Sequence, residues 1–370
     1  MLPAYGGASI DSLAPALLAP GGQRPEWLPA PARDAAQVVL LVLDGLGWLQ
    51  LCERPEVAPF LSSLVGGPIT SVVPTTTATA LTSIALGTPP AGHGVVGYRL
   101  RVEGPEGDEV LNVLRWRTSR GDARESVPPL QFQPCPAFAG RDVPVVTRGE
   151  FLSTGFTIAH QSGTRQFGYA LASSMVVEVG RLIGEGEPFV YAYYDGVDKI
   201  AHIHGFGPYF DAELRAADRL AADIAAALAP GAVLVVTADH GEVHVGAAVR
   251  PLGDDVLAET ALVSGEGRFR WLHARAGREA ALAATARARH GHEAWVWTTA
   301  ELEQEGLFGG PLSPAVRGRL GDVALVPWAP ISFGDPADTA EIHLVCRHGS
   351  LTAAEMLVPL LATAGRHGEG

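Results

Sequence analysis

Cysteine is scarce in this chain: Cys52, Cys135 and Cys346 are three residues in 370. That number builds no disulfide framework and suits a reducing compartment. Basic side chains are outnumbered, 27 against 40 acidic ones, for a formal net charge of −13. A broad nucleic-acid groove needs the opposite balance, so none is expected. Long apolar runs are missing too. Residues 38–43 stop far short of the roughly 20 residues a membrane span needs. The run 225–238 is broken by Pro230-Gly231, so no membrane span is expected. Residues 1–20 lack a basic n-region and an unbroken apolar stretch, and the expected location is cytoplasmic. No repeat of solenoid period is present, and 44 glycines and 28 prolines are scattered as turn punctuation. Charged residues make up 18% and hydrophobic ones 47%, which excludes global disorder and supplies a core.

What is present is a recurring pattern of short aliphatic runs that stop abruptly at a metal-ligand type of residue. Gln37–Leu43 ends at Asp44, and Phe189–Tyr194 ends at Asp195 with Asp198 just beyond. Ala232–Thr237 leads to Asp239-His240, and the run 341–346 leads to Arg347-His348. Apolar runs without polar alternation are what strands buried on both faces require. Between them, residues 208–229 open with Pro208 and space Leu214, Ala217, Ala221, Ile224 and Leu228 as one helical stripe. Residues 352–363 read as a closing helix. The expected fold is α/β, a mostly parallel sheet flanked by helices.

Two stretches interrupt that pattern. Residues 100–140 are polar and rich in Pro and Gly, an insertion or flap. Residues 255–306 read as a small inserted α/β lobe. Its strands would be Phe269–Ala274 and Ala294–Thr298, with a helix over 277–289 between them. A capping box, Thr298-x-x-Glu301, would then start a further short helix. Residues 1–36 are expected to form an N-terminal extension, and 37–254 with 307–370 the α/β core that would carry any catalytic site.

Parallel open sheets bind ligands beyond the carboxyl ends of their strands. Asp44, Asp198, Asp239, His240 and His348 would therefore collect at one edge. Asp198 and His202 are four apart, on one face of a helical turn. Any one of these has a plain alternative as a helix cap or turn former. Together they would repel unless a positive charge compensates, and divalent metal is the economical answer. Mixed His/Asp ligation favours zinc, with manganese or iron as alternatives. A Thr-rich segment, Thr75, Thr76, Thr77 and Thr79, opens an apolar helix that runs towards Gly87. Free N–H groups at such an end favour an anion, and a hydroxyl there is a candidate nucleophile. Composition does not choose among the four threonines.

The ordered set Asp44-Gly, Pro74-x-x-Thr77 ten residues before Gly87, Pro90-x-x-His93-Gly, Asp198-x-x-x-His202, Asp239-His240-Gly and His348-Gly resembles the alkaline phosphatase superfamily. The branch it resembles is the type I phosphodiesterase/nucleotide pyrophosphatase family, over about 37–361. The resemblance implies an alkaline-phosphatase-like sheet and two divalent metals, most simply Zn2+. It assigns Asp44, Thr77, Asp239 and His240 to one metal, and Asp198, His202 and His348 to the other. Thr77 would be the nucleophile towards a small-molecule phosphoester, with the Ala78 N–H as an oxyanion donor. Ala80 stands where that family carries an asparagine, which weakens the case for nucleotides. The alternatives are a phosphomonoesterase or a phosphonate (C–P) hydrolase of the same superfamily, then a non-catalytic metal-binding scaffold. No Cys-x-Pro-x-Arg occurs, which disfavours a sulfatase. His93, between two glycines, reads as structural.

Overall fold

The computed structural model describes residues 1–335, 337 and 343–365. Its centre is β1 (Gln37–Leu43), whose residues after Gln37 are all buried. A strand with both faces covered must be apolar throughout, and this one is. The main sheet is completed by β2 (Val65–Thr70), β3 (Pro144–Arg148), β4 (Arg165–Tyr169), β5 (Phe189–Tyr194), β6 (Ala232–Thr237) and β7 (Leu357–Ala364). The spatial order is β2-β7-β6-β1-β5-β3-β4. The strands β6, β1, β5, β3 and β4 run parallel, whereas β7 and β2 pair antiparallel at one side.

Register decides where the polar residues emerge. Val42 lies opposite both Thr237 of β6 and Tyr193 of β5, and Leu43 lies opposite Tyr194. The three central strands thus end level. Asp44, Asp195 and the Asp239-His240 pair leave the sheet at one edge. Three helices matter to that edge: α1 (Thr77–Leu86), α2 (Gly196–His204) and α3 (Pro208–Ala227). All ten residues of α1 are buried, and it stops at Gly87, whose φ of +64° is a left-handed conformation that suits glycine. α3 buries Leu214, Ala217, Ala221 and Ile224, the stripe that the spacing predicts.

The closing helix expected over 352–363 is corrected by the structure. Only Ala353–Met356 is helical, and the chain then forms β7. The run is buried on both faces between β6 and β2, and a short continuous apolar run has no period that separates strand from helix. Pro359 was the available sign, since proline in a helix interior removes a hydrogen bond. The strand expected over 341–346 falls partly outside the described residues. What is described there is a two-residue strand, Cys346–Arg347, paired antiparallel with Val243–His244.

The lobe is a four-stranded antiparallel sheet in the order Thr260–Glu266, Phe269–Ala274, Val323–Pro327, Ala294–Thr298, so the expected bounds of 255–306 are corrected: a strand from 307–370 pairs into its middle. It carries the helix Glu279–His290 and a small core around Leu272, Leu282, Ala286 and Leu325. The capping box forms: Thr298 N–H donates to Glu301 Oε2 at 2.7 Å, and Glu301 N–H to Thr298 Oγ1 at 3.3 Å. Within 100–140 the chain makes a small antiparallel meander that starts at Arg99–Gly104 and Gly107–Asn112.

His93 fastens α1 to the loop that follows it. Val95 N–H donates to His93 Nδ1 at 3.1 Å, so the Nε2 proton goes to Ser83 Oγ at 2.8 Å. Burial holds its pKa down at about 3. The unfolded chain, with an ordinary value near 6.5, therefore takes up the proton first. Stability from His93 is complete above that pH and is lost as pH falls towards 3. The expected slope is about 1.4 kcal/mol per pH unit. The fall in melting temperature from about pH 7.5 to about pH 5 should be smaller for His93→Gln than for wild type; equal falls would contradict this.

Candidate active site

Backbone bonds first lock the three strand ends together. Asp44 N–H donates to the Tyr194 carbonyl at 2.9 Å, and Asp198 N–H to the Asp44 carbonyl at 3.1 Å. Gly45 N–H donates to Asp239 Oδ1 at 3.1 Å, and the Tyr193 hydroxyl donates to Asp44 Oδ2. Gly45 has φ +73°, and a Cβ on it would lie 2.8 Å from Asp198 Cα and Cβ. Glycine is what lets the first turn after β1 press against α2.

Thr77 opens α1, and its Oγ1 lies 3.1 Å from His240 Nε2. That nitrogen is also 3.5 Å from Asp44 Oδ1 and 3.4 Å from Asp239 Oδ2. On the α2 side, His202 Nε2 is 3.2 Å from Asp198 Oδ1, and His348 Nε2 is 3.9 Å from the same oxygen. The His240 and His348 rings stack with centroids 3.6 Å apart. All seven residues singled out in the sequence thus converge at one edge of the sheet.

His348 arrives from far along the chain by way of a strap. Thr75 Oγ1 donates to the Ser350 carbonyl at 2.8 Å and accepts from Gly349 N–H at 3.0 Å. The Thr75 carbonyl accepts from His348 Nδ1 at 2.8 Å. Behind it, the buried Arg268 grips Glu355 with bonds of 2.7 and 2.8 Å. These bonds also sort the threonines: the Thr75 hydroxyl is engaged in the strap, and Thr77 is the one that faces His240.

The imidazole tautomers follow from their partners. His202 Nδ1 faces the Cys346 carbonyl at 2.7 Å, His348 Nδ1 the Thr75 carbonyl, and His240 Nδ1 the Gly241 carbonyl at 3.2 Å. A carbonyl only accepts, so each Nδ1 carries the proton and each Nε2 lone pair turns into the site. Opposite them stand Asp44 Oδ1, Asp198 Oδ1 and Asp239 Oδ2, all buried with no hydrogen-bond partner among the described residues. Lone pairs facing carboxylate oxygens repel unless a positive charge lies between them.

The electrostatics agree. Burial first, then Asp239 and Asp198, pushes the Asp44 carboxyl well above its usual range. Burial likewise raises Asp198 and Asp239. It lowers His240, and it lowers His348 further with help from His240 and His202. Carboxyls and imidazoles that each resist their charged form, with lone pairs converging, make a candidate donor set for a divalent cation. Donor atoms of Asp44, Asp239 and His240 lie within 4.8 Å of one another, as do those of Asp198, His240 and His348.

Two cavities flank Thr77. One, of about 190 Å³, has walls of Leu81, Leu114, Phe151 and Phe156, with His160 and Lys199 also in its lining. The other, of about 290 Å³, is lined by Tyr98, Arg115, Arg347 and His348 among others. Leu114 comes from the 100–140 stretch and borders both, so that excursion shapes the space beside the hydroxyl. Motif reading missed Tyr193, His160 and a further buried acid, Glu242. His160 and Tyr193 belong to no ligand spacing. Glu242 did leave a sign, an acidic residue directly after Asp239-His240-Gly241 in an otherwise buried segment.

Level strand ends, a hydroxyl at a helix start and these converging donors form one candidate metal-dependent site at the edge of the sheet. The sequence model of the family described as type I phosphodiesterase / nucleotide pyrophosphatase matches residues 38–134 and 169–351. The chain belongs to that family. No curated protein sequence matches it. Among solved structures, murine ectonucleotide pyrophosphatase / phosphodiesterase 5 superposes with a TM-score of 0.65 at 15% identity, covering 89% of this chain and 88% of its own. An inactive threonine-to-alanine variant of that murine protein, solved in complex with AMP, gives 0.64 over the same shares at 15% identity. Phosphonoacetate hydrolase from Sinorhizobium meliloti 1021, in complex with phosphonoformate, gives 0.62 at 21% identity over 94% and 92%. No helix among the described residues is long and apolar enough to cross a membrane.

Proposed function

We propose that the protein hydrolyses phosphodiester-type bonds with Thr77 as nucleophile and two divalent cations, most simply zinc. The observation that carries this reading is Thr77 Oγ1, held 3.1 Å from His240 Nε2 at the start of a buried helix and facing the unpartnered carboxylates. Asp44, Thr77, Asp239 and His240 would hold one cation; Asp198, His202 and His348 would hold the other. Such ions, when bound, neutralise the carboxylates, lower the pKa of the hydroxyl and stabilise charge on phosphoryl oxygens.

The chain's own groups do the rest. α1 fixes Thr77 Oγ1 and offers the free N–H of Ala78 in its first turn to a phosphoryl oxygen. Oγ1 forms a bond to phosphorus as the bond to the departing alcohol breaks. The proton lost by the hydroxyl balances the one gained by that alcohol. Water then attacks the phosphothreonine, frees the phosphate monoester and returns the hydroxyl. The cavity walled by Leu81, Phe151 and Phe156 gives the organic part of the ester an apolar seat. The family match and the murine neighbour, whose inactive variant lacks a threonine, support a threonine-dependent phosphodiesterase.

A second reading has one observation in its favour. Arg115 and Arg347 line the other cavity beside Thr77 and His348, where they suit a second anionic group such as a carboxylate. That would fit a phosphonate hydrolase. Paired assays separate the two. Bis-p-nitrophenyl phosphate is expected to turn over at least about tenfold faster than p-nitrophenyl phosphate or phosphonoacetate, a difference of about 1.4 kcal/mol in barrier. A preference for phosphonoacetate would favour the second reading, and a preference for the monoester would overturn both.

A further inference from the structure

Glu242 lies two residues beyond His240 and is fully buried. Neither of its carboxylate oxygens has a hydrogen-bond partner among the described residues. Oε2 is 3.7 Å from His202 Nδ1, but that nitrogen directs its proton at the Cys346 carbonyl, 2.7 Å away. Asp198 Oδ1, equally buried and unpartnered, faces His202 Nε2 at 3.2 Å. Donor atoms of Asp198, His202 and Glu242 lie within 4.8 Å of one another. Gly45 closes this pocket from the other side, where a Cβ would lie 2.9 Å from Glu242 Oε1.

An isolated buried carboxylate is strongly disfavoured. Asp198, Asp239 and Glu355 all bear on Glu242, and all share its sign. A cation from outside the chain would supply the compensating charge. A glutamine or methionine would fill the space without that cost, so the acid itself needs a reason.

We propose that Glu242 is a donor to the cation held by Asp198 and His202, the fourth carboxylate of the centre. The inference rests on the two-cation reading above and deepens it. Asp44, Asp198, Asp239 and Glu242 then carry four negative charges. Two divalent ions match them before any substrate arrives. The competing role for such a carboxylate is to accept a hydrogen bond from a ligand imidazole and orient it. Glutamine keeps that acceptor and loses the charge, so it tells the two roles apart.

The test compares wild type with Glu242→Gln and Glu242→Met. Zinc stoichiometry and affinity are measured by competition with a chromophoric chelator, and melting temperatures are measured on metal-free protein. Both variants are expected to bind one of two zinc ions at least about 100-fold more weakly, more than loss of an outer partner costs, and to keep the other. Metal-free Glu242→Met is expected to melt no lower than metal-free wild type, since it lacks a buried unpaired charge. Wild-type affinity for both ions in Glu242→Gln would overturn the donor role and leave the two-cation reading standing. A wild type that binds fewer than two zinc ions would overturn that reading, and the role of Glu242 with it.

Discussion

Thr77→Ala is expected to lower kcat on a phosphodiester by at least about 1,000-fold while the protein keeps its fold and its zinc. The magnitude follows from removing a nucleophile that no neighbouring group replaces. Thr75 cannot take over, because its hydroxyl is held in the strap with Ser350 and Gly349. Thr76 stands in extended backbone one position outside α1, and its side chain makes no capping bond. Metal retention is expected because Asp44, Asp239 and His240 remain as donors. Thr77→Ser should recover much of the rate, since it restores an oxygen at the same place. The checks are steady-state kinetics on bis-p-nitrophenyl phosphate and metal analysis of the same samples. Near wild-type kcat in Thr77→Ala would remove Thr77 from the chemistry.

The second large effect concerns the two halves of the donor set. His348→Ala should deplete the cation on the Asp198 side, and Asp44→Ala the cation on the Thr77 side. Each variant is expected to retain one zinc and to lose affinity for the other by at least about 100-fold, more than loss of an outer partner costs. Activity should fall in both, because the attacking and departing oxygens would no longer be stabilised together. His348→Ala has an added structural consequence. It removes the ring stacked on His240 and the bond to the Thr75 carbonyl, so the strap loosens as well. Unchanged zinc stoichiometry in either variant would count against that residue as a donor. Equal loss of both ions from each variant would mean that the site binds them as one inseparable unit.

Much of this site was legible in the sequence because buried parallel strands write themselves as unbroken aliphatic runs. The residue that ends such a run is forced to the sheet edge, which is why Asp44 and the Asp239-His240 pair could be placed from sequence alone. Helical spacing did the same for Asp198 and His202. The lobe helix and its capping box were equally local, and both appear where their residues say they should. What escaped depends on contacts between distant segments. The β7 strand carries no periodicity of its own; its pairing with β6 and β2 decides its form. Glu242 has meaning only once Gly45, Asp198 and His202 surround it. The family resemblance singles out Thr77, but the reason Thr75 is engaged elsewhere is the strap, a link across more than 270 positions. His160 gains its place through the cavity, whose walls come from α1, the 100–140 meander and the 151–161 segment.

The most direct measurement of the central claim is the stereochemical course at phosphorus. A chiral phosphorothioate diester would be hydrolysed in isotopically labelled water and the configuration of the product determined. Attack by Thr77 followed by attack of water is two in-line displacements, so the expected outcome is net retention. Net inversion would show that water attacks the substrate directly, and that no threonine ester lies on the path.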